Sequence, residues 1–277
     1  MIPVIWMSGN WVTLPLSGEG YPRFLAVARQ CAASGVRIIA VTICGGVSRV
    51  KQYASRLKAD LTTQCPTCSQ EWSPKLRIGV ATSEVFSNQP LDGDTECWEV
   101  LADLCNWCYS LTGEGPIVDF EDSLLPWLNG TQGLNEAKFI ANVETFAARC
   151  TAPSIYTYPS QWNGFERKRL VFQTTLVDAL PHRLIPIGTT LHSPDSLQHV
   201  DAYYVRIFES LLAPIQKPVE QIIVGPQNAS WWVPDTMQTA LAAVGDREAW
   251  VYWMTPFTDP DPNVSLVPAT LAELVTS

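Results

Sequence analysis

The chain has 277 residues, of which 47% are hydrophobic and 16% are charged, and its formal net charge is −9. This composition excludes general disorder, and the acidic balance argues against a nucleic-acid partner, because nucleic-acid binders usually present a basic face. The first residues have neither a basic segment nor an apolar stretch of signal-peptide length, and nothing later predicts a membrane span. We therefore expect a globular protein that is intracellular, exported by another route, or has lost a leader.

Short runs rich in β-branched and aromatic residues recur along the chain. Most are nearly continuous apolar runs without strict alternation, which is typical of parallel strands that are covered on both faces. The predicted strands are residues 2–8, 36–43, 76–82, 116–121, 154–159, 183–190, 201–208, 221–226 and 249–255.

Amphipathic stretches lie between many of these runs and predict helices, for example at residues 21–35, 47–60, 95–111 and 135–150. A β-then-α alternation predicts an α/β fold, a (β/α)8 TIM barrel formed by residues 1–277 as a single domain, with an irregular later half. A doubly wound open sheet is the alternative. A barrel needs eight strands, so one run is superfluous, and we expect residues 183–190 or 221–226 to be peripheral.

The segment "GPIVDFEDS" combines a buried-strand pattern with three acids. Alternate residues of a strand face the same way, so Asp119 and Glu121 share one face while Val118 and Phe120 share the other. Burying two carboxylates about 6–7 Å apart without cationic partners is costly. We therefore predict that Asp119 and Glu121 point into the mouth of the barrel at the carboxyl end of its fourth strand, where barrel active sites are built.

The segment "EGPIVDFE" resembles the D-G-x-D-x-D-x-E strand of glycoside hydrolase family 18, the chitinases and endo-N-acetylglucosaminidases, with Asp119 and Glu121 matching the final D-x-E. The resemblance implies that Glu121 is the general acid/base. It also implies that Asp119 orients the substrate's N-acetyl group, whose carbonyl oxygen is the nucleophile. Residues 222–235 are similar to a segment of plant-type chitinases, and Trp253 matches the tryptophan that floors the sugar site.

A second resemblance is to the glycoside hydrolase family 25 lysozymes, which cleave peptidoglycan. It rests on "VDFED" and, some thirty residues later, on "APSIYTYPSQW". Both resemblances imply a barrel, a role for Asp119 and Glu121, and a glycan that contains N-acetylhexosamine.

A third interpretation pairs Glu121 with Glu209, which follows the predicted strand 201–208. Two such carboxylates would form a retaining pair if they lay about 5 Å apart. Glu209 is equally compatible with a surface loop, and Glu84 is a weaker candidate of the same kind. Arg206 would hold Asp119 ionised by a bidentate contact if its side chain pointed inward.

Aromatic residues at predicted strand ends are candidates for sugar binding, because sugar rings stack their C–H faces on aromatic rings. The chain has 11 tryptophans. We select Trp253, by its strand-end position and family match, and Trp6. Tyr156 and Tyr158 share one face of their strand and would donate hydrogen bonds to a sugar or to Glu121.

The eight cysteines include two pairs with C-x-x-C spacing, Cys65 with Cys68 and Cys105 with Cys108. Two such pairs would suit a structural four-thiolate zinc site. Isolated thiols or a disulfide are the alternatives, and helical periodicity places Cys105 and Cys108 on one helix face. We predict no cofactor for catalysis, since the histidines lack the spacing of a metal triad and no glycine pattern indicates phosphate binding.

Together these patterns predict a glycosidase that cleaves a β-linked N-acetylhexosamine glycan of chitin or peptidoglycan type. The alternative is a non-catalytic barrel that binds glycan or serves as a component of a larger assembly. Two positions favour this alternative, because Phe208 stands where family 18 has a catalytic tyrosine and Ile117 where it has its middle aspartate.

Overall fold

The computed structural model describes residues 2–7, 21–22, 25–26, 28–29, 38–43, 45–61, 75–87, 89–120, 133–159, 184–187, 190–191, 221–226 and 248–253. Residues 2–7, residue 84 and those from 155 onward are described by their backbone alone.

The described strands are parallel wherever they pair. They are β1 (Ile2–Met7), β2 (Ile38–Ile43), β3 (Lys75–Ala81), β4 (Ile117–Asp119), β5 (Ile155–Pro159), β6 (Leu184–Ile187), β7 (Thr190–Leu191), β8 (Gln221–Pro226) and β9 (Glu248–Trp253). They form one sheet in the order β6-β5-β4-β3-β2-β1-β9-β8-β7. Strands consecutive in sequence are therefore neighbours, as expected for β-then-α units, except β6 and β7, which stand at the two ends of the order.

The described residues include four helices: α1 (Gly46–Leu61), α2 (Thr82–Phe86), α3 (Thr95–Thr112) and α4 (Glu136–Arg149). Each long helix buries a stripe at spacings of three and four residues, such as Trp98, Leu101, Ala102 and Cys105 in α3. The helix α3 is capped at its carboxyl end by Gly113, whose φ of 74° lies in the left-handed region that glycine adopts without strain. Residues 21–22, 25–26 and 28–29 are also helical.

Two faces of the sheet are distinguished by the register of β2, β3 and β4. The first, which we call the helix-covered face, is apolar and almost wholly buried, and consists of Ile39, Val41, Ile43, Leu76, Ile78, Val80 and Val118, continued by Phe120. The second, which we call the Asp119 face, consists of Ala40, Thr42, Arg77, Gly79, Ala81, Ile117 and Asp119. A Cβ on Gly79 would lie 2.6 Å from Oγ1 of Thr42, so neighbouring strands pack too closely on this face for a larger residue.

The structure confirms the predicted strands at 2–8, 36–43, 76–82, 154–159 and 249–255 to within two residues at each end. The fourth strand is shorter than predicted, ending at Asp119. Of the two runs that we expected to include a peripheral one, residues 221–226 form β8, which lies between β9 and β7 in the strand order. The run 183–190 divides into β6 and β7. The predicted strand 201–208 lies outside the described residues.

None of the helices in the described part of the chain has the length and hydrophobicity that a membrane span requires.

Candidate active site

At the carboxyl end of β4, the apolar residue Phe120 packs under the helices and the acid Asp119 lies on the other face. Ile117, Val118 and Phe120 are completely buried, whereas Asp119 is half-buried. The ring of Phe120 stacks on Trp98 of α3, with 6.0 Å between the ring centroids. Because consecutive strand residues point to opposite sides, anchoring Phe120 under the helices directs Asp119 to the other face.

A threonine from the neighbouring strand fixes the backbone of this acid. Thr82, directly after β3, is fully buried, and its hydroxyl donates a hydrogen bond of 2.9 Å to the backbone oxygen of Asp119. Ala81 is the register partner of Asp119. The ends of β3 and β4 are therefore joined at the edge where the side chain of Asp119 emerges. Sequence reasoning did not select Thr82, although a polar residue directly after the apolar run "LRIGVA" was a signal for it.

An aromatic cluster supports the anchor from behind. Trp98 contacts four phenylalanine rings at centroid distances of 5.2–6.1 Å, and these rings are Phe86, Phe120, Phe139 and Phe146. Its indole N–H donates to the backbone oxygen of Leu91 at 3.0 Å. The helices α3 and α4 thus hold the position of β4 through one large side chain.

A buried asparagine completes this support. Asn142 of α4 is 1% exposed, accepts a hydrogen bond of 2.8 Å from the Thr95 hydroxyl, and donates to the backbone oxygens of Leu91 and Gly93 at 3.2 Å. The loop before α3 is therefore bound to α4 by satisfied polar groups.

The opposite end of the Asp119 face carries an ion-pair cluster. Glu114 accepts from Nζ of Lys75 at 2.7 Å and lies 3.6 Å from Nε of Arg77, which is 3% exposed. The cluster lies at the amino-terminal ends of β3 and β4. In parallel α/β folds the amino-terminal ends of the strands contribute to stability, whereas chemistry takes place at the carboxyl ends.

Backbone register places four of the predicted aromatic residues. Trp6 pairs with Ala40, and Ala40 belongs to the Asp119 face. Tyr156 pairs with Val118, so it takes a register position of the helix-covered face, and Tyr158 lies two residues further along the same strand. Trp253 is the last residue of β9 and pairs with Met7, the residue after Trp6 in β1. Its register position therefore lies on the face opposite to that of Trp6. Of these four predicted sugar-binding residues, Trp6 therefore shares the face of Asp119.

The remaining predicted site residues are only partly covered by the structure. Glu84 lies in the short helix α2, directly after Thr82 and Ser83, and only its backbone is described. Glu121, Arg206 and Glu209 lie outside the described residues. Their roles stay predictions.

The described cysteines Cys97, Cys105, Cys108 and Cys150 are free thiols. Burial raises the pKa of Cys108 to about 12. A hydrogen bond to Cys150, together with burial, raises the pKa of Cys105, whereas accepting that bond lowers the pKa of Cys150. Within the residues that the structure describes, no three His, Cys, Asp or Glu side chains converge as metal ligands. The other predicted zinc ligands, Cys65 and Cys68, lie outside those residues.

Comparison with known proteins gives a likeness in fold. No protein-family model and no curated protein sequence matches the chain. A GH18 chitinase from Pseudoalteromonas aurantia superposes with a TM-score of 0.51 at 12% sequence identity, covering 98% of this chain and 100% of that chain. A GH113 β-mannanase from Alicyclobacillus acidocaldarius gives a TM-score of 0.53 at 9% identity, covering 98% and 96%. A further GH113 β-1,4-mannanase gives 0.50 at 9% identity, covering 98% and 97%.

These three neighbours are TIM-barrel glycoside hydrolases. At such identities the likeness concerns the fold, which hosts many unrelated activities. The chain is therefore similar to these TIM barrels in fold.

Proposed function

We propose that the chain is a glycoside hydrolase that cleaves a β-linked N-acetylhexosamine glycan, with Glu121 as general acid/base and Asp119 orienting the acetamido group. The observation that carries the proposal is the position of Asp119 at the carboxyl end of β4, half-buried and fixed by Thr82 and by the anchor Phe120. Parallel α/β enzymes place their reacting groups at this edge.

The chemistry follows from the spacing of the two acids. If extended backbone continues for two residues beyond Asp119, Glu121 faces the same side about 6–7 Å further along. Glu121 then protonates the leaving glycosidic oxygen, and Asp119 accepts a hydrogen bond from the acetamide N–H and turns its carbonyl oxygen toward the anomeric carbon. At this separation one acid, Glu121, can serve as the proton donor while the other, Asp119, stays ionised and orients the acetamido group.

We assign supporting roles to the other predicted residues. Trp6 would stack on a sugar ring and Arg206 would hold Asp119 ionised. Trp253, Tyr156 and Tyr158 have register positions on the helix-covered face, so they would contact the sugar only if the chain changes direction at these strand ends. Of these, Trp6 is favoured by its register position on the Asp119 face.

Glu209 and Glu84 are the other acids of the proposed site. Glu209 would replace the acetamido group as nucleophile if it lay about 5 Å from Glu121. Glu84 is the weaker candidate for this role, and it follows the end of β3 in the helix α2.

We also propose that the sheet closes into a complete (β/α)8 barrel. The strands β6 and β7 occupy the two ends of the strand order but are separated by only residues 188 and 189. One stretch of chain therefore pairs with β5 at its start and with β8 at its end. This arrangement supports closure, in which β6 and β7 together serve as the sixth strand.

The second candidate is a non-catalytic barrel that binds glycan or belongs to an assembly. Ile117 favours it, because this fully buried residue stands where family 18 has its middle aspartate. A carboxylate at that position would share a proton with Asp119. Its absence removes one means of shifting the pKa values of Asp119 and Glu121.

Hydrolysis of chitin oligosaccharides, peptidoglycan and N-glycans across pH 4–8 tests the proposal, a range that covers carboxylate acid catalysis. The full chain would be compared with Glu121→Gln and with Asp122→Asn as matched control, because the control removes a neighbouring carboxylate of the same segment. We expect Glu121→Gln to lose about 10²–10⁴-fold in turnover and Asp122→Asn to lose little. Glycan binding without turnover by the folded wild type would establish the non-catalytic alternative, and equal turnover by all three proteins would refute the role of Glu121.

A further inference from the structure

The middle of α3 meets the end of α4 through a set of polar contacts. Arg149 donates two hydrogen bonds to Asp103, at 2.7 and 2.6 Å. The side-chain oxygen of Asn106 accepts from the backbone N–H groups of Thr151 and Ala152 at 2.8 and 3.0 Å, and its amide donates to the backbone oxygen of Arg149 at 2.9 Å. Contacts on both sides of Cys105 therefore hold residues 103–106 against residues 149–152.

Two thiols meet inside this contact. Cys105 is completely buried, Cys150 is 6% exposed, and the proximity of the two thiols shifts the pKa of each. The sulfur of Cys150 also lies 3.5 Å from the hydroxyl oxygen of Ser154 and 3.8 Å from the backbone oxygen of Ala152. Cys105 and Cys150 are thus adjacent in space although they are far apart in sequence.

From this geometry we propose that Cys105 and Cys150 are a redox-active pair that exchanges with small-molecule disulfides, such as oxidised glutathione, to form a disulfide joining α3 to the segment after α4. The C-x-x-C spacing of the sequence pointed instead to Cys105 with Cys108. Those two residues lie on one helix, whereas Cys105 and Cys150 come from different elements that the neighbouring contacts already align. This site is independent of the proposed glycosidase activity.

The exchange proceeds in two balanced steps. Cys150, the more exposed of the two, loses its proton to solvent and attacks one sulfur of oxidised glutathione, forming a mixed disulfide and releasing one glutathione thiolate. Cys105 then loses its proton to solvent and attacks the Cys150 sulfur, releasing the second glutathione thiolate. The two cysteines lose two electrons in total, and oxidised glutathione is reduced to two molecules of glutathione.

The disulfide would restrain the helices that support β4. It closes the loop formed by residues 105–150, which contains β4, and a loop of about 45 residues is long enough for a large entropic effect on the unfolded chain. We expect the melting temperature of the oxidised protein to exceed that of the reduced protein by roughly 5–15 °C.

The test uses the full chain equilibrated with oxidised glutathione or with dithiothreitol, followed by alkylation, proteolysis and mass spectrometry. We expect the oxidised wild type to yield a linked Cys105–Cys150 peptide that dithiothreitol abolishes. The stabilisation should persist in Cys97→Ser and Cys108→Ser, which are matched controls, and should vanish in Cys105→Ala and Cys150→Ala.

Peptide identification on the wild type decides the question even if a variant fails to fold. A linked peptide that joins Cys105 to any other cysteine would overturn the proposal. So would recovery of Cys105 and Cys150 as alkylated thiols under conditions in which Cys97 becomes glutathionylated. Stoichiometric zinc that is lost in Cys105→Ala, with no disulfide in the wild type, would overturn it in favour of the zinc site.

Discussion

Replacing Phe120 by alanine tests whether the aromatic anchor fixes the end of β4. The Phe120 ring is completely buried and stacks on Trp98 at 6.0 Å. Removing a buried phenylalanine ring typically costs about 3–5 kcal/mol, of which the aromatic pair contributes about 0.5–1.5 kcal/mol. We expect Phe120→Ala to lower the free energy of unfolding by that amount.

Phe146→Ala is the matched control for the anchor. Phe146 is equally buried and contacts the same tryptophan at 6.1 Å, but it belongs to α4 and not to the strand that carries Asp119. Both variants should lose similar stability, whereas only Phe120→Ala should also lower kcat, because it alone frees the backbone next to the acids. The kcat comparison rests on the proposed activity, and the stability comparison does not.

The assay is urea denaturation of each variant, followed by turnover at a temperature where both remain folded. At about 2–4 °C per kcal/mol, the expected loss also lowers the melting temperature by roughly 6–20 °C. A loss below about 1 kcal/mol for Phe120→Ala would refute the packing argument. Equal loss of kcat in the two folded variants would refute the positioning argument.

Three further predictions concern described residues. Gly115→Ala should lower the melting temperature strongly, because a Cβ would collide with the backbone oxygen of Pro153. Gly133→Ala should be tolerated, because no atom of the described residues lies within 4 Å of a Cβ there. Thr82→Val should cost about 1–3 kcal/mol in denaturant titration by leaving the backbone oxygen of Asp119 without this donor, and Thr82→Ser should restore most of it. Hydrogen bonds from Arg149 lower the pKa of Asp103. The ionised Asp103 therefore contributes to folding stability above its unfolded-state pKa, near 4, and this contribution is lost as the pH falls through its folded-state pKa. The stability difference between wild type and Asp103→Asn at pH 7 should accordingly shrink in acid, and a difference independent of pH would contradict this reasoning.

Local pattern was sufficient to predict most strands and the long helices. The continuous apolar runs of β2 and β3 indicate burial on both faces, and the spacing of Trp98, Leu101 and Cys105 indicates a helix with one buried stripe. These signals depend on neighbours within a few residues, which is why they can be read from one sequence.

Contacts between segments that are far apart in the sequence could not be predicted from local pattern. The run 221–226 resembles any short apolar strand, so its place between β9 and β7 depends on how the sheet as a whole is ordered. The hydrogen bond from Thr82 to Asp119 and the contact of Cys105 with Cys150 likewise join residues whose proximity arises only from strand pairing and helix packing. Spacing rules therefore favoured Cys108 as the neighbour of Cys105.

The candidate site was predicted in part. The half-buried position of Asp119 between the fully buried Val118 and Phe120 agrees with the alternation in the sequence, because consecutive residues of a strand lie on opposite faces of the sheet. Alternation also places Trp6 and Trp253 at register positions on opposite faces of the sheet. This difference depends on which residues of β1 and β9 pair with each other. Strand-end position alone does not contain that information.

The most direct test of the account is the turnover of N-acetylglucosamine oligosaccharides and of matched glucosamine oligosaccharides that lack the acetyl group, by wild type and by folded Asp119→Asn. If Asp119 orients an acetamido group at the end of β4, the wild type will hydrolyse the acetylated substrate at least 10-fold faster, and Asp119→Asn will lose most of that preference, in keeping with about 1.4 kcal/mol for each factor of ten. Wild-type protein that hydrolyses neither substrate, or both at equal rates, would contradict the account.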